Sequence, residues 1–333
     1  MTTTTSSSRI AAALVLSLVT PLAALGPVVS VAALDLPPAG ISLWHDVPLA
    51  NPSGIAEVVT SDARGDIWYY DSRDEDLVRV DSATRSQQTF ALGPRAWVLG
   101  IVGVPDGTIW YTDLRDHTIN HLDPGTGSID SFPLTGVSYT PSSLALGSDG
   151  NVWFGDPFAT NLVQVSPAGV LTMVAEPRDE RILAVATAPD GRLLYTRTGS
   201  DRVGALDLST GTFSDLGVGA SAGAALTVGA SGAVWIDGVG EFTRIAPDGT
   251  ITTHPMSVPG PIPVRPIALA GGDLAGDDDV ELSFIDPEYG FGTVDASGAP
   301  QFSRLDGART SLALDGAGHV WVNDLWGASL QWR

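Results

Sequence analysis

Asp71, Asp113, Asp156, Asp237, Asp286 and Asp324 each close a copy of one short phrase, clearest in DGTIWYTD (Asp106–Asp113) and DGNVWFGD (Asp149–Asp156). In a further copy Arg197 stands where the acid is expected. If the copies are related by rotation, their last residues form a ring on one face. Hard cations take clustered oxygen ligands, so the chemistry such a ring could support is a Mg²⁺ or Ca²⁺ site. Asp71, Asp113, Asp156, Asp286 and Asp324 are its candidate ligands. Asp74, Glu75, Asp76 and Asp116 would add charge to the same face. An aspartate after a strand also accepts hydrogen bonds from its own turn, which accounts for most of the repetition without an ion.

The five histidines show no metal-ligand spacing. His45 and His254 fall on expected outer strands, His121 ends a third strand and His319 opens a Trp strand. His117 lies in the loop after Asp113, on the acidic face. Glu57, His117 and Trp326 are the candidate binding residues. The run GGDLAGDDDVE (Gly271–Glu281) lacks EF-hand spacing and reads as a solvated acidic loop.

A repeat must position these groups. Trp68, Trp110 and Trp153 are 42 and 43 residues apart, Leu194 and Trp235 follow at intervals of 41, and Trp321 lies 86 beyond Trp235. The intervening copy is VELSFID (Val280–Asp286), with Ser283 in the Trp position. Each copy runs through an apolar strand such as Ser143–Leu146, an Asp-Gly type of turn and the Trp strand. A third strand such as Leu77–Val80 or Thr118–Leu122 follows, then a second tight turn such as Asp123–Ser128 and a fourth strand such as Ile129–Leu134. Short strands between Gly/Asp/Pro turns form hairpins, and four antiparallel strands at this period predict a propeller blade. The expected fold is all-β, a seven-bladed β-propeller of four-stranded antiparallel blades. The last copy, His319–Asp324, has its third strand at Ser329–Trp332 and no fourth. The ring is therefore expected to be closed by an N-terminal strand, Ile41–Val47, completing the C-terminal blade.

Residues 1–33 read as a signal peptide, with Arg9 before the apolar stretch Ile10–Val19 and small residues at Ser30–Ala33. Pro21, Gly26 and Pro27 disfavour a retained anchor. Residues 34–40 form a Pro-rich linker, and 41–333 a single propeller domain with no membrane span. The expected location is secreted or extracytoplasmic. With 44% hydrophobic residues the 333-residue chain can bury a large core, and its 38 Gly and 23 Pro suit many tight turns. A formal charge of −21 leaves no basic stripe, so nucleic acid is not an expected partner. The absence of cysteine excludes disulfides, thiol catalysis and Cys–zinc sites. Every basic residue is Arg, which with Ala/Gly richness suggests a GC-rich bacterium.

The DG-x-[IV]-W-[FY] phrase, the Asp-Pro-x-Thr-Gly turn within Leu122–Ile129 and the Pro-x-x-[IL] entry at Pro141–Leu144 resemble the virginiamycin B lyase (streptogramin lyase) family of seven-bladed propellers. The resemblance covers most of residues 41–333, and similar phrases recur in NHL-type propellers. It implies ring opening by elimination, with a histidine base and a magnesium ion near the axis. The family's base sits in a Glu-x-His arrangement opening the last blade. Counting back from Trp321 places Thr310 at the histidine and Ala308 at the glutamate, while Asp324 matches the acid ending the last Trp strand. The family's first-blade tyrosine corresponds to Ser53 or Glu57. An elimination needs a base on the proton it removes, and Thr310 cannot act as one. Glu57 followed by DIWYYD (Asp66–Asp71) is also similar to the SMP-30/gluconolactonase family. The Asn-Gly phrases of those lactonases are absent here, so that match is shared propeller grammar. The expected function is an exported binding or interaction protein holding a small molecule, glycan or peptide on one face. The alternative is a Mg²⁺- or Ca²⁺-dependent lyase or hydrolase acting on a small cyclic ester or lactone.

Overall fold

Seven four-stranded antiparallel sheets make up the propeller. The computed structural model describes residues 44–333 apart from 199, 201, 218–224, 230, 239, 257–267, 273–279, 288, 296 and 304–307. The expected signal peptide and linker lie outside the described residues. Among the described residues there is no α-helix, and so none long and apolar enough to cross a membrane.

The second strand of a blade is its most buried one: Ile67–Asp71 and Ile109–Asp113 are buried at every position, and Val234–Gly238 and Val320–Asp324 at all but their last one or two. Neighbouring blades cover both of its faces, so it reads as a continuous apolar phrase instead of alternating. One cluster joins Trp68, Tyr70 and Leu77 of the first blade to Val98, Ile101 and Ile109 of the second. The next joins Trp110 and Ile119 to Val152, Phe154 and Val163 of the third. The first strands, such as Ala56–Ser61 and Val98–Gly103, touch one another in sequence around the ring and are the innermost layer.

The blade without Trp repacks around a glycine. Phe284, one residue beyond Ser283, is fully buried and pairs across the strands with Gly292, where a Cβ would lie 2.2 Å from the ring. Tyr195 and Gly204 form the same pair in the fourth blade. Each glycine admits an aromatic ring that any side chain would displace.

His45–Pro48 pairs antiparallel with Ser329–Trp332, so the ring is closed as expected, with His45 opposite Trp332. The strand sits slightly later than Ile41–Val47, and residues 41–43 lie outside the described residues. Arg85 of the first blade lies 4.1 Å over Trp332 and 4.7 Å over Trp321, and His45 stacks on Trp332 at 4.6 Å. This cation–π stack fastens the last blade to the first.

Candidate functional site

The strand-ending aspartates tie backbone together. Asp71 Oδ1 accepts the N–H groups of Ile55 and Arg73, both at 3.0 Å. Asp113 Oδ1 accepts Trp97 N–H at 3.1 Å and Arg115 N–H at 2.8 Å. Asp156 accepts Phe158 N–H at 3.0 Å through Oδ1 and the Ser138 N–H through Oδ2. Asp286 accepts Tyr289 N–H at 3.0 Å, and Asp324 accepts those of Trp326 and Gly327 at 3.1 and 2.9 Å. At Asp71, Asp113 and Asp156 the carboxylate caps its own turn and also anchors the segment entering the first strand of the same blade.

Asp237 does not belong to this set. The second strand of the fifth blade runs Val234–Gly238, and Gly238 holds the place of the other acids, three residues after Trp. A shift of one residue turns a side chain to the other face of a strand. Asp237 instead joins a second series that the sequence reading missed. The first strands bulge between Ala56 and Val59, Val98 and Ile101, and Ile182 and Val185, leaving N–H groups outside the ladder. Thr112 and Thr196 accept those of Gly100 and Ala184 at 3.1 and 3.2 Å, and Asp237 accepts the N–H of Ala225, just ahead of a first strand that does not bulge, at 2.7 Å. Asn323 does so for both Thr310 and Ser311 at 3.0 Å. The only signal in the sequence is a Thr, Asn or Asp two residues after the Trp position.

Arg197, in the acid position of the fourth blade, is 1% exposed and reverses the arrangement. Its guanidinium donates to Glu176 Oε1 at 3.1 Å and to Asp215 Oδ1 at 2.7 Å, while Glu176 Oε2 accepts Arg178 N–H at 2.7 Å. Burial alone would raise the Asp215 carboxyl, but hydrogen bonds from Arg197 and Arg178 outweigh it and hold it below the usual carboxylate range. Burial pushes the Tyr195 phenol beside them far above its ordinary value.

The loops at this end carry the other candidates. Trp326 is 75% exposed in the turn after Asp324, and Phe158 is 41% exposed with Tyr139 edge-on at 5.3 Å. Trp97 lies under the Arg115 guanidinium at 5.1 Å. His117 donates from Nε2 to Val137 O at 3.0 Å, so its Nδ1 accepts the Thr140 hydroxyl at 2.9 Å, and both ring nitrogens are engaged within the protein. Glu57 occupies the bulge of the innermost strand of the first blade, half-buried. Nearby, burial and then the charges of Asp74, Asp71 and Glu75 raise the Asp76 carboxyl.

Hydrogen bonds from Leu49 N–H to Ala328 O and from Asn51 Nδ2 to Asp74 bring the loops of Trp326, Asp71 and Asp74 side by side. Asp113, Asp156 and Asp286 lie on other blades. Among the described residues no three His, Asp or Glu side chains are grouped to hold one ion. At the positions where the resemblance, counted from Trp321, puts the family's base, glutamate and acid stand Thr310, Ala308 and Asp324. Asp324 Oδ1 lies 3.0 Å from Arg309 Nη1, and Thr310 Oγ1 accepts Asn323 Nδ2 at 2.9 Å. That donor set does not fit a magnesium-held elimination centre.

Comparison with known proteins bears out the family resemblance. Residues 42–180 match the model of the Virginiamycin B lyase family. A streptogramin B lyase structure superposes with a TM-score of 0.72 at 18% identity, covering 87% of this chain and 96% of that one. A catalytically inactive His-to-Ala variant of virginiamycin B lyase from Staphylococcus aureus, solved with quinupristin, gives 0.73 at 17% identity, covering 87% and 98%. The extracellular domain of a hybrid two-component system from B. thetaiotaomicron gives 0.64 at 16% identity, covering 87% of this chain and 39% of that one. At these identities the likeness is one of fold. No curated protein sequence matches the chain significantly.

Proposed function

We propose that the chain is an exported binding propeller without catalytic turnover. Its ligand is held by the loops after the second strands and before the first strands. The observation that carries this reading is Thr310, a residue with no basic group, fixed by Asn323 at the position where the resemblance puts the base. His117, the histidine on the same face, has both nitrogens bonded internally. The exposed rings of Trp326 and Phe158 supply contact area there. The inactive lyase variant solved with quinupristin supports separating binding from turnover in this fold. Export rests on the apolar N-terminal stretch, and the extracellular neighbour is consistent with it.

The test follows the indole N–H resonance of Trp326 while cyclic depsipeptides, glycans and linear peptides are added in turn. A compound that shifts this resonance and is recovered intact supports the proposal. A compound recovered chemically altered overturns it.

A further inference from the structure

Two complementary groups are left without partners in the fourth blade. Arg197 Nη1 and Glu180 Oε2 are both buried, and neither makes a hydrogen bond. They are neighbours, because Arg197 Nε lies 3.5 Å from Glu180 Oε2 and the planar guanidinium carries Nη1 beside Nε. The rest of the network is satisfied. Nε and Nη2 of Arg197 serve Glu176, Tyr195 and Asp215, and Arg178 closes on Asp215. A buried donor and a buried acceptor left open side by side are costly and call for an explanation. The Arg197 side chain is 1% exposed and that of Glu180 36%, so Glu180 is the solvent-facing member of the pair. Its Oε2 has no hydrogen bond to lose when the side chain turns outward, and that movement opens Nη1 to a ligand.

The class of ligand follows from the two unpaired atoms. An anion would meet the charges of Glu176, Glu180 and Asp215, and a metal ion or ammonium group would meet the N–H groups of Arg197. A hydroxyl accepts from Nη1 and donates to Oε2 through one atom. An apolar platform lies beside the pair. Glu176 N–H donates to Thr160 O at 3.0 Å and Thr160 Oγ1 to Asp179 Oδ1 at 2.7 Å, which ties the loop of Glu180 to the turn of Phe158. Phe158 is 41% exposed, with Tyr139 at 5.3 Å and the Arg181 guanidinium 5.8 Å from its ring. A pyranose offers both halves of this pattern, an apolar C–H face for the aromatic ring and hydroxyls for the polar pair.

We infer that the loops of the third and fourth blades form a monosaccharide subsite. One sugar hydroxyl sits between Arg197 Nη1 and Glu180 Oε2, and the sugar ring lies against Phe158. This rests on the reading of the loop face as a binding surface and names glycan as its ligand class.

Methyl glucoside, methyl mannoside and methyl galactoside are the probes, added singly to ¹⁵N-labelled protein at up to about 100 mM, which saturates even a millimolar site. The Arg197 Nε–H resonance, assigned by through-bond correlation with its own backbone amide, is expected to move saturably with at least one of them. Acetate and Mg²⁺ are expected to leave it in place. Glu180→Ala removes the acceptor and should weaken the bound glycoside at least about tenfold. Phe158→Ala, at an exposed position, should weaken it about fivefold. An Arg197 resonance unmoved by all three glycosides overturns the subsite. So does one that follows acetate or Mg²⁺ instead, or unchanged affinity in both variants. Trp326 stands on the last blade, so its titration with larger compounds tests the loop face independently of this subsite.

Discussion

Asn323 grips Thr310 from two sides: its Oδ1 accepts the Thr310 N–H at 3.0 Å, and its Nδ2 donates to the Thr310 hydroxyl at 2.9 Å. The same amide donates to Ala56 O at 2.8 Å and accepts Ser311 N–H at 3.0 Å, joining the innermost strands of the last and first blades. Asn323→Ala strands several buried partners. It is expected to lower the unfolding free energy by about 2–4 kcal/mol, read from urea titration.

The buried Glu176–Arg197 pair gives a second prediction. Glu176→Gln leaves the Arg197 guanidinium short of compensating charge and is expected to cost about 3 kcal/mol. Adding Arg197→Met should recover part of that loss. A double-mutant cycle in chemical denaturation measures the coupling.

Acid sensitivity follows from carboxylates held below their ordinary range. Burial would raise Asp315 and Glu281, but hydrogen bonds from Trp321 and His319, and from Arg244 and Trp235, outweigh it. A group with a depressed folded pKa contributes stability above its unfolded value and loses it as pH falls through the folded one. Tm should therefore drop progressively below about pH 4. Asp76 has the opposite sign, because its raised pKa makes the ionised form destabilising above the ordinary value. Asp76→Asn should raise Tm at pH 7 and leave it unchanged at pH 3, by scanning calorimetry.

Closure by the N-terminal strand predicts the effect of removing it. A chain starting after Pro48 loses the partner of Ser329–Trp332 and uncovers that edge. Lower Tm and concentration-dependent association in light scattering are expected. A monomer of unchanged Tm would contradict the closure.

The Trp spacing made the ring, its blade number and its closing strand legible, because burial by two neighbours forces a continuous apolar phrase. Local hydrogen bonding was harder to read. Asp237 ends its phrase as the other acids do, yet it stands two residues after the Trp position where they stand three after theirs, and so lies on the other face of its strand. Glu281 serves Trp235 from the next blade, 46 residues away, and no local pattern announces that contact.

The central claim is binding without ring opening, and quinupristin tests it most directly. Elimination opens the ring with no change of mass, whereas hydrolysis adds one water, so chromatography with fragment-ion mass spectrometry separates the two outcomes. After prolonged incubation of the purified chain with quinupristin and Mg²⁺, the account predicts only the intact cyclic compound. Accumulation of the linear isomer, lost on heat denaturation of the protein, would contradict it.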